Sequence, residues 1–154
     1  MFRDPASVPE MSEVAAFIDS WLSEQLAEND AVVAVGVDPD ERYRWFVRMA
    51  GDERDITAVW LTLRQRTLSF ESYFAPAPEE NQLLAYETLL RWNNKLSGAR
   101  FSIGAEDAVF IEGEIGYHTV DGFELDRILG TIYEAVERWF KPLLRIGFAS
   151  RFKD

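Results

Sequence analysis

The sequence predicts an α+β domain, a mainly antiparallel sheet with three helices in the order α-β-β-β-α-β-β-α. Three observations carry that prediction. Apolar residues recur at helical spacing in three separate stretches. Between them lie runs that alternate apolar and polar residues and are rich in valine, isoleucine and aromatics, as strands with one buried face require. The links inside those runs are a few residues long, which suits hairpins and leaves no room for the crossovers of a parallel sheet.

In chain order, a short leader (1–11) gives way to a helix introduced by Ser7 and Glu10 at capping-box spacing. Val14, Phe17, Ile18, Trp21, Leu22 and Leu26 mark its apolar side, and it ends near Asn29 and Asp30. Residues 31–37 are apolar and β-branched but stop at the turn Asp38-Pro39-Asp40, so a short strand and an extended linker both remain open. Residues 42–49, 55–64 and 66–74 form a three-stranded meander, turned by Gly51-Asp52-Glu53 and by Gln65-Arg66. Pro76 and Pro78 end it.

Pro78-Glu79-Glu80 opens a second helix, because a first turn tolerates the missing proline N–H and its dipole favours acids. That helix runs to about Leu96 and closes at Ser97-Gly98. Residues 99–103 and 108–115 pair as a hairpin around Gly104-Ala105-Glu106-Asp107. Asp121 and Glu124 form another capping box ahead of the longest helix, whose stripe is Phe123, Leu125, Ile128, Leu129, Ile132, Tyr133, Val136 and Phe140. Pro142 disfavours helix at Lys141, so the helix should stop or kink there before a tail (143–154). No linker or repeat divides the chain, and 1–154 reads as one domain.

Composition excludes several functions. The 154 residues carry 27 acids against 16 lysines and arginines, a formal net charge of −11, which repels phosphate backbones and anionic membranes. No nucleic-acid or membrane partner is expected. The acidity serves solubility, and any functional use of it would be attraction to a basic partner. Without cysteine there are no disulfides, thiol chemistry or cysteine metal sites, which suits the cytoplasm. No apolar run approaches the ~18 residues that span a bilayer.

Candidate chemistry is sparse. His118, the single histidine, follows a strand and reads as a solvent-facing loop residue. Glu112 and Glu114 alternate along one strand, so they share a face about 7 Å apart, a spacing that suits paired carboxylates in glycoside hydrolysis. The wetted outer face of a sheet explains them better. Asp38, Asp40 and Glu41, and likewise Glu106 and Asp107, lack the glycine and terminal glutamate of a calcium loop. The scattered glycines assemble no nucleotide fingerprint. Neither a catalytic apparatus nor a metal or cofactor site is predicted.

The element order and several local strings resemble the YbjN family, whose members resemble type III secretion chaperones in fold. The strings are Trp45-Phe46-Val47, Asp55-Ile56-Thr57-Ala58-Val59-Trp60-Leu61, Leu89-Leu90-Arg91-Trp92-Asn93, Phe101-Ser102-Ile103 with Asp107-Ala108-Val109-Phe110, and Glu124-Leu125-Asp126-Arg127-Ile128-Leu129. The leader and residues 31–37 fall outside that pattern. The resemblance implies a non-catalytic protein that dimerises and either escorts a partner polypeptide or modulates a regulatory pathway.

The aromatics refine this expectation. If Trp45, Val47, Val59, Leu61, Leu63, Leu68 and Phe70 face the helices, alternation sends Phe46, Trp60, Tyr73 and Phe110 to the opposite face, with Arg44, Arg48, Arg64, Glu71, Glu112 and Glu114. Large aromatics rimmed by charge suit a polypeptide-binding face. In the second helix Leu83, Ala85, Tyr86, Leu89, Leu90, Trp92 and Leu96 cover about half the circumference, more than one buried stripe needs. Leu83, Tyr86, Leu89 and Trp92 are therefore candidates for a homodimer interface, and Asn93 within the arc needs a hydrogen-bond partner if buried. A small-ligand sensor with a pocket between sheet and helices is the alternative, and a hydrolase built on Glu112 and Glu114 the more remote one.

Overall fold

The computed structural model describes residues 9–152. Its helices are α1 (Met11–Glu28), α2 (Gln82–Asn93) and α3 (Gly122–Gly147). Its strands are β1 (Val32–Val37), β2 (Arg44–Ala50), β3 (Ile56–Leu63), β4 (Thr67–Ala75), β5 (Arg100–Ile103) and β6 (Val109–Gly116). They form one antiparallel sheet in the order β1-β2-β3-β4-β6-β5.

Period-2 alternation sends Trp45, Val47, Val59, Leu61, Leu63, Leu68 and Phe70 inward, as expected, and all are buried. They meet Ile18 and Leu22 of α1 and Leu125, Ile128, Ile132, Val136 and Leu143 of α3 in one core. Phe74 lies fully buried against Phe101 and Phe140. Asp121 caps α3 by accepting the Glu124 N–H at 2.8 Å, as the spacing predicts.

One open reading is settled and three expectations need correction. Residues 31–37 contribute a true sixth strand, because Val35 and Val37 pair with Val47 and Trp45 of β2; a lone sequence pattern cannot show that a neighbour is waiting. Helix α2 starts at Gln82, with Asn81 as its N-cap in the left-handed region (φ 50°), and ends at Asn93 instead of near Leu96. The N–H groups of Glu79 and Glu80 instead donate to the Gly147 carbonyl, and Asn81 Nδ2 to that of Ile146. Pro78-Glu79-Glu80 thus serves the end of α3, satisfying carbonyls that a helix terminus leaves bare.

Helix α3 does not stop at Pro142 and continues through it to Gly147. The lost backbone bond is offset because Leu143 and Phe148 are buried and Leu144 and Ile146 pack against the core. The expected tail is accordingly the end of this helix, followed by a 3-10 turn (Ala149–Arg151) whose Ser150 donates twice to Glu80 at 2.8 Å. At the other end α1 begins at Met11, with Glu10 as N-cap and no side-chain cap. Ser7 and most of the leader lie outside the described residues.

The sheet forks at its centre. β3 and β4 pair only from Trp60 and Glu71 to Leu63 and Leu68, whereas β3 stays with β2 to Ile56 and β4 with β6 to Val109. Side chains take over in the gap. Ser72 Oγ donates to the Ala58 carbonyl at 2.6 Å, and Arg54 Nη1 donates to the carbonyls of Tyr73 (2.8 Å) and Phe74 (3.0 Å). The turn that carries Arg54 is held by α3, because the Glu137 carboxylate accepts the Asp52 and Glu53 N–H groups at 2.9 and 2.8 Å, and Lys141 pairs with Glu53. A β-carbon at Gly51 would collide with that carboxylate.

Candidate functional site

The structure brings Phe46, Trp60, Tyr73 and Phe110 onto the sheet face that turns away from the core, in two touching pairs. Phe46 meets Trp60 edge-on with ring centroids 5.6 Å apart, and Tyr73 meets Phe110 at 5.7 Å. Both pairs are dictated by register: Phe46 lies opposite Trp60, and Tyr73 opposite Phe110. Tyr73 is 43% exposed and the other three are half-buried. The two phenylalanine rings lie down across glycines, Phe46 over Gly36 and Phe110 over Gly104, where a β-carbon would come within 2.5 Å of the ring.

Charge on this face is nearly balanced, unlike the chain as a whole. Glu71 and Glu112 stand directly opposite each other, a destabilising arrangement on its own. Arg44 offsets it by pairing with Glu71 at 3.3 Å, and Arg100 by bridging Glu112 (3.7 Å) and Glu114 (3.3 Å). Arg64 reaches Glu41. Two arginines are left over. Arg48 stacks on Phe46 and Arg54 on Tyr73 and Phe140, and neither has an ion pair among the described residues. Burial pushes the Arg54 guanidinium below the usual arginine range.

Three shallow hollows of about 210, 230 and 300 Å³ run across the face and share Glu71 as a wall. The middle one lies over the fork, lined by Arg44, Arg54, Ala58, Trp60, Tyr73 and Phe110.

The second helix divides its candidates. Leu89 is buried in the chain's own core, and Trp92 stacks on Trp139 at 5.2 Å. Leu83 stays 85% exposed and Leu90 68%; Leu90 and Ile103 of β5 (54%) line an apolar groove of about 300 Å³ that also includes Tyr86, whereas Leu83 is not part of that lining. Asn93 finds the partner it needs on the edge of the sheet, where Oδ1 accepts the Phe101 N–H at 2.6 Å and Nδ2 donates to the Phe101 carbonyl at 3.3 Å.

Glu112 and Glu114 share a strand face as spacing predicts, and both contact the single guanidinium of Arg100. His118 is exposed in a 3-10 turn after β6. Among the described residues no cluster of histidine, aspartate and glutamate could hold a metal ion, and no helix is long and apolar enough to cross a membrane. Sequence reasoning missed Arg54 and Ile103. Ile103 was readable as an apolar edge residue, whereas Arg54 sits in an acidic turn whose sequence says nothing of the fork it fills.

A match over residues 19–145 to the model of the YbjN family, described as "Putative bacterial sensory transduction regulator", decides the family. The chain belongs to the YbjN family. The matched span includes residues 31–37, which the local strings left outside the resemblance. It is 31% identical over 112 residues to the uncharacterized protein ML2442 of Mycobacterium leprae, covering 73% of this chain and 61% of the relative. It is 29% identical over 104 residues to the uncharacterized protein Rv0487 of Mycobacterium tuberculosis, covering 68% and 57%. The YbjN chain thus spans about three-fifths of the length of these relatives.

Its fold is that of type III secretion chaperones. Similar chains occur in the ExsC–ExsE complex (TM-score 0.61, 14% identity, 84% of this chain and 95% of that one). They also occur in the HopA1–SchA chaperone–effector complex (0.56, 14%, 86% and 98%). A third is found in the complex of the Yersinia pestis secretion chaperone SycH with a fragment of YscM2 (0.52, 15%, 80% and 96%).

Proposed function

We propose that this YbjN chain is a non-catalytic binding protein of the cytoplasm that captures a segment of another polypeptide on the outer face of its sheet. The observation that carries the reading is the solvent-facing set Phe46, Trp60, Tyr73 and Phe110 on a sheet whose helices all serve the opposite face. Burying such rings against a partner supplies non-directional affinity, and the surrounding charges supply register. The family description as a regulator, and the occurrence of the fold in complexes of chaperones with partner polypeptides, support binding over catalysis.

The test is capture of partners from a bacterial lysate by the native chain and by Trp60→Asp. Trp60→Asp is expected to keep the native circular dichroism spectrum and lose the partners. Unaltered capture by a folded Trp60→Asp chain overturns the reading.

The same reading includes a homodimer closed over α2 and β5, supported by the exposed Leu83 on α2 and by Leu90 and Ile103, which line the apolar groove. Asn93 occupies the Phe101 edge groups that strand pairing would use, so side-chain burial would hold the two copies together. Light scattering should give a mass near twice 17.7 kDa for the native chain and a monomer for Leu90→Asp. A native monomer at every concentration refutes the dimer.

A further inference from the structure

Six of the twelve arginines among the described residues make no ion pair, and Arg54 alone of these six is half-buried while the other five are exposed. Its turn neighbours Asp52, Glu53 and Asp55 are exposed, Glu53 is taken by Lys141, and none of the three is ion-paired to Arg54. Nη1 donates to two backbone carbonyls, which fixes the plane of the guanidinium, while Nε and Nη2 have no hydrogen bond among the described residues. The group is therefore partly stripped of water, oriented by the fork, and left with unused donors. Such a cation gains from an anion more than a free surface arginine does, because part of its desolvation is already incurred in the folded chain.

The space beside it has the complementary shape. The hollow of about 230 Å³ has Ala58 in its lining, a residue too small to fill it, together with the rings of Trp60, Tyr73 and Phe110. The carboxylate that lines it, Glu71, is held by Arg44 at 3.3 Å. The hollow thus offers an unanswered positive group and an aromatic wall.

We propose that this hollow seats a single carboxylate of the polypeptide partner against Arg54, with the apolar or aromatic group next to it packed among Trp60, Tyr73 and Phe110. The proposal rests on the outer-face reading and specifies the chemistry of its partner. It also reverses the expectation drawn from net charge. The chain's −11 repels an acidic run at long range, so the segment that fits carries one acid beside an aromatic and is otherwise neutral or basic.

The experiment is a nuclear magnetic resonance titration of the full ¹⁵N-labelled chain with N-acetyl-phenylalanine, a carboxylate beside a ring, and separately with its neutral primary amide. The acid should shift Ala58, Tyr73, the Trp60 indole N–H and the Arg54 Nε–H in a saturable way. The amide should bind at least about tenfold more weakly, as loss of a charge-assisted hydrogen bond implies. In Arg54→Gln the advantage of the acid should vanish, while Arg48→Gln on the same face should keep it.

Equal shifts from acid and amide overturn the carboxylate inference and leave the aromatic face as a binding surface. Shifts elsewhere, or none from either probe, overturn it as well. Failure of the parent reading is a separate result, namely retained partner capture by Trp60→Asp. If Arg54→Gln unfolds because the fork loses its clamp, the comparison of acid with amide on the native chain decides alone.

Discussion

Asn93→Leu isolates what one polar side chain inside an apolar helix arc does for this fold. Leucine fills nearly the same space and is the better helix former by a few tenths of a kcal/mol, so neither packing volume nor propensity opposes the change. What is lost is the pair of bonds to Phe101, the 2.6 Å bond from its N–H to Oδ1 and the 3.3 Å bond from Nδ2 to its carbonyl. At about 1 kcal/mol each, with the Phe101 edge groups left against leucine carbons, the net cost should be about 2 kcal/mol. For a chain of this size that lowers Tm by about 4–8 °C. Urea unfolding followed by circular dichroism should show a midpoint about 1 M lower with an unchanged slope. Hydrogen exchange should speed up at the Phe101 amide first. A midpoint within error of the native chain, with Phe101 still protected, would refute the assignment of Asn93 as the brace between α2 and the β5 edge.

Two further predictions concern the faces and the termini. Tyr73 and Phe74 are neighbours in sequence on opposite sides of β4; Phe74→Ala should cost about 3–5 kcal/mol and Tyr73→Ala under about 1, measured as chemical denaturation midpoints, and comparable costs would mean the face assignment is wrong. Glu80 has its pKa held below the ordinary glutamate value by the Ser150 N–H and hydroxyl, so its docking of the C-terminal turn is fully present above the unfolded pKa and is lost as pH falls through the lower folded one. The Ser150 amide resonance should therefore titrate with a midpoint below 4.5, and a midpoint at or above that value would show that the bonds do not persist in solution.

The two faces of the sheet were legible because side-chain direction in a strand depends only on odd and even position. Trp45 and Phe46 go to opposite sides whatever else the chain does, and once the turns were placed the four aromatics had to share a face. The need of Asn93 for a partner was equally local, since an amide within an apolar arc has few ways to be satisfied. The dimer candidates were less legible. A helical arc shows that a residue is apolar, but not whether its own core or a neighbour covers it, and Leu89 and Trp92 are covered by their own core.

What the sequence by itself determined is therefore the α+β class, the hairpin order of most strands, the inner and outer faces and the absence of cysteine chemistry. All of these follow from local periodicity and composition. Only the tertiary structure decided that residues 31–37 find an edge to pair with, and that α3 passes Pro142 because burying Leu143 and Phe148 offsets one missing hydrogen bond. It also decided that Pro78-Glu79-Glu80 closes a helix far along the chain, and that Arg54 enters a fork between two strands. Each of these joins residues far apart in sequence, and no local pattern encodes which distant group will be there to meet them.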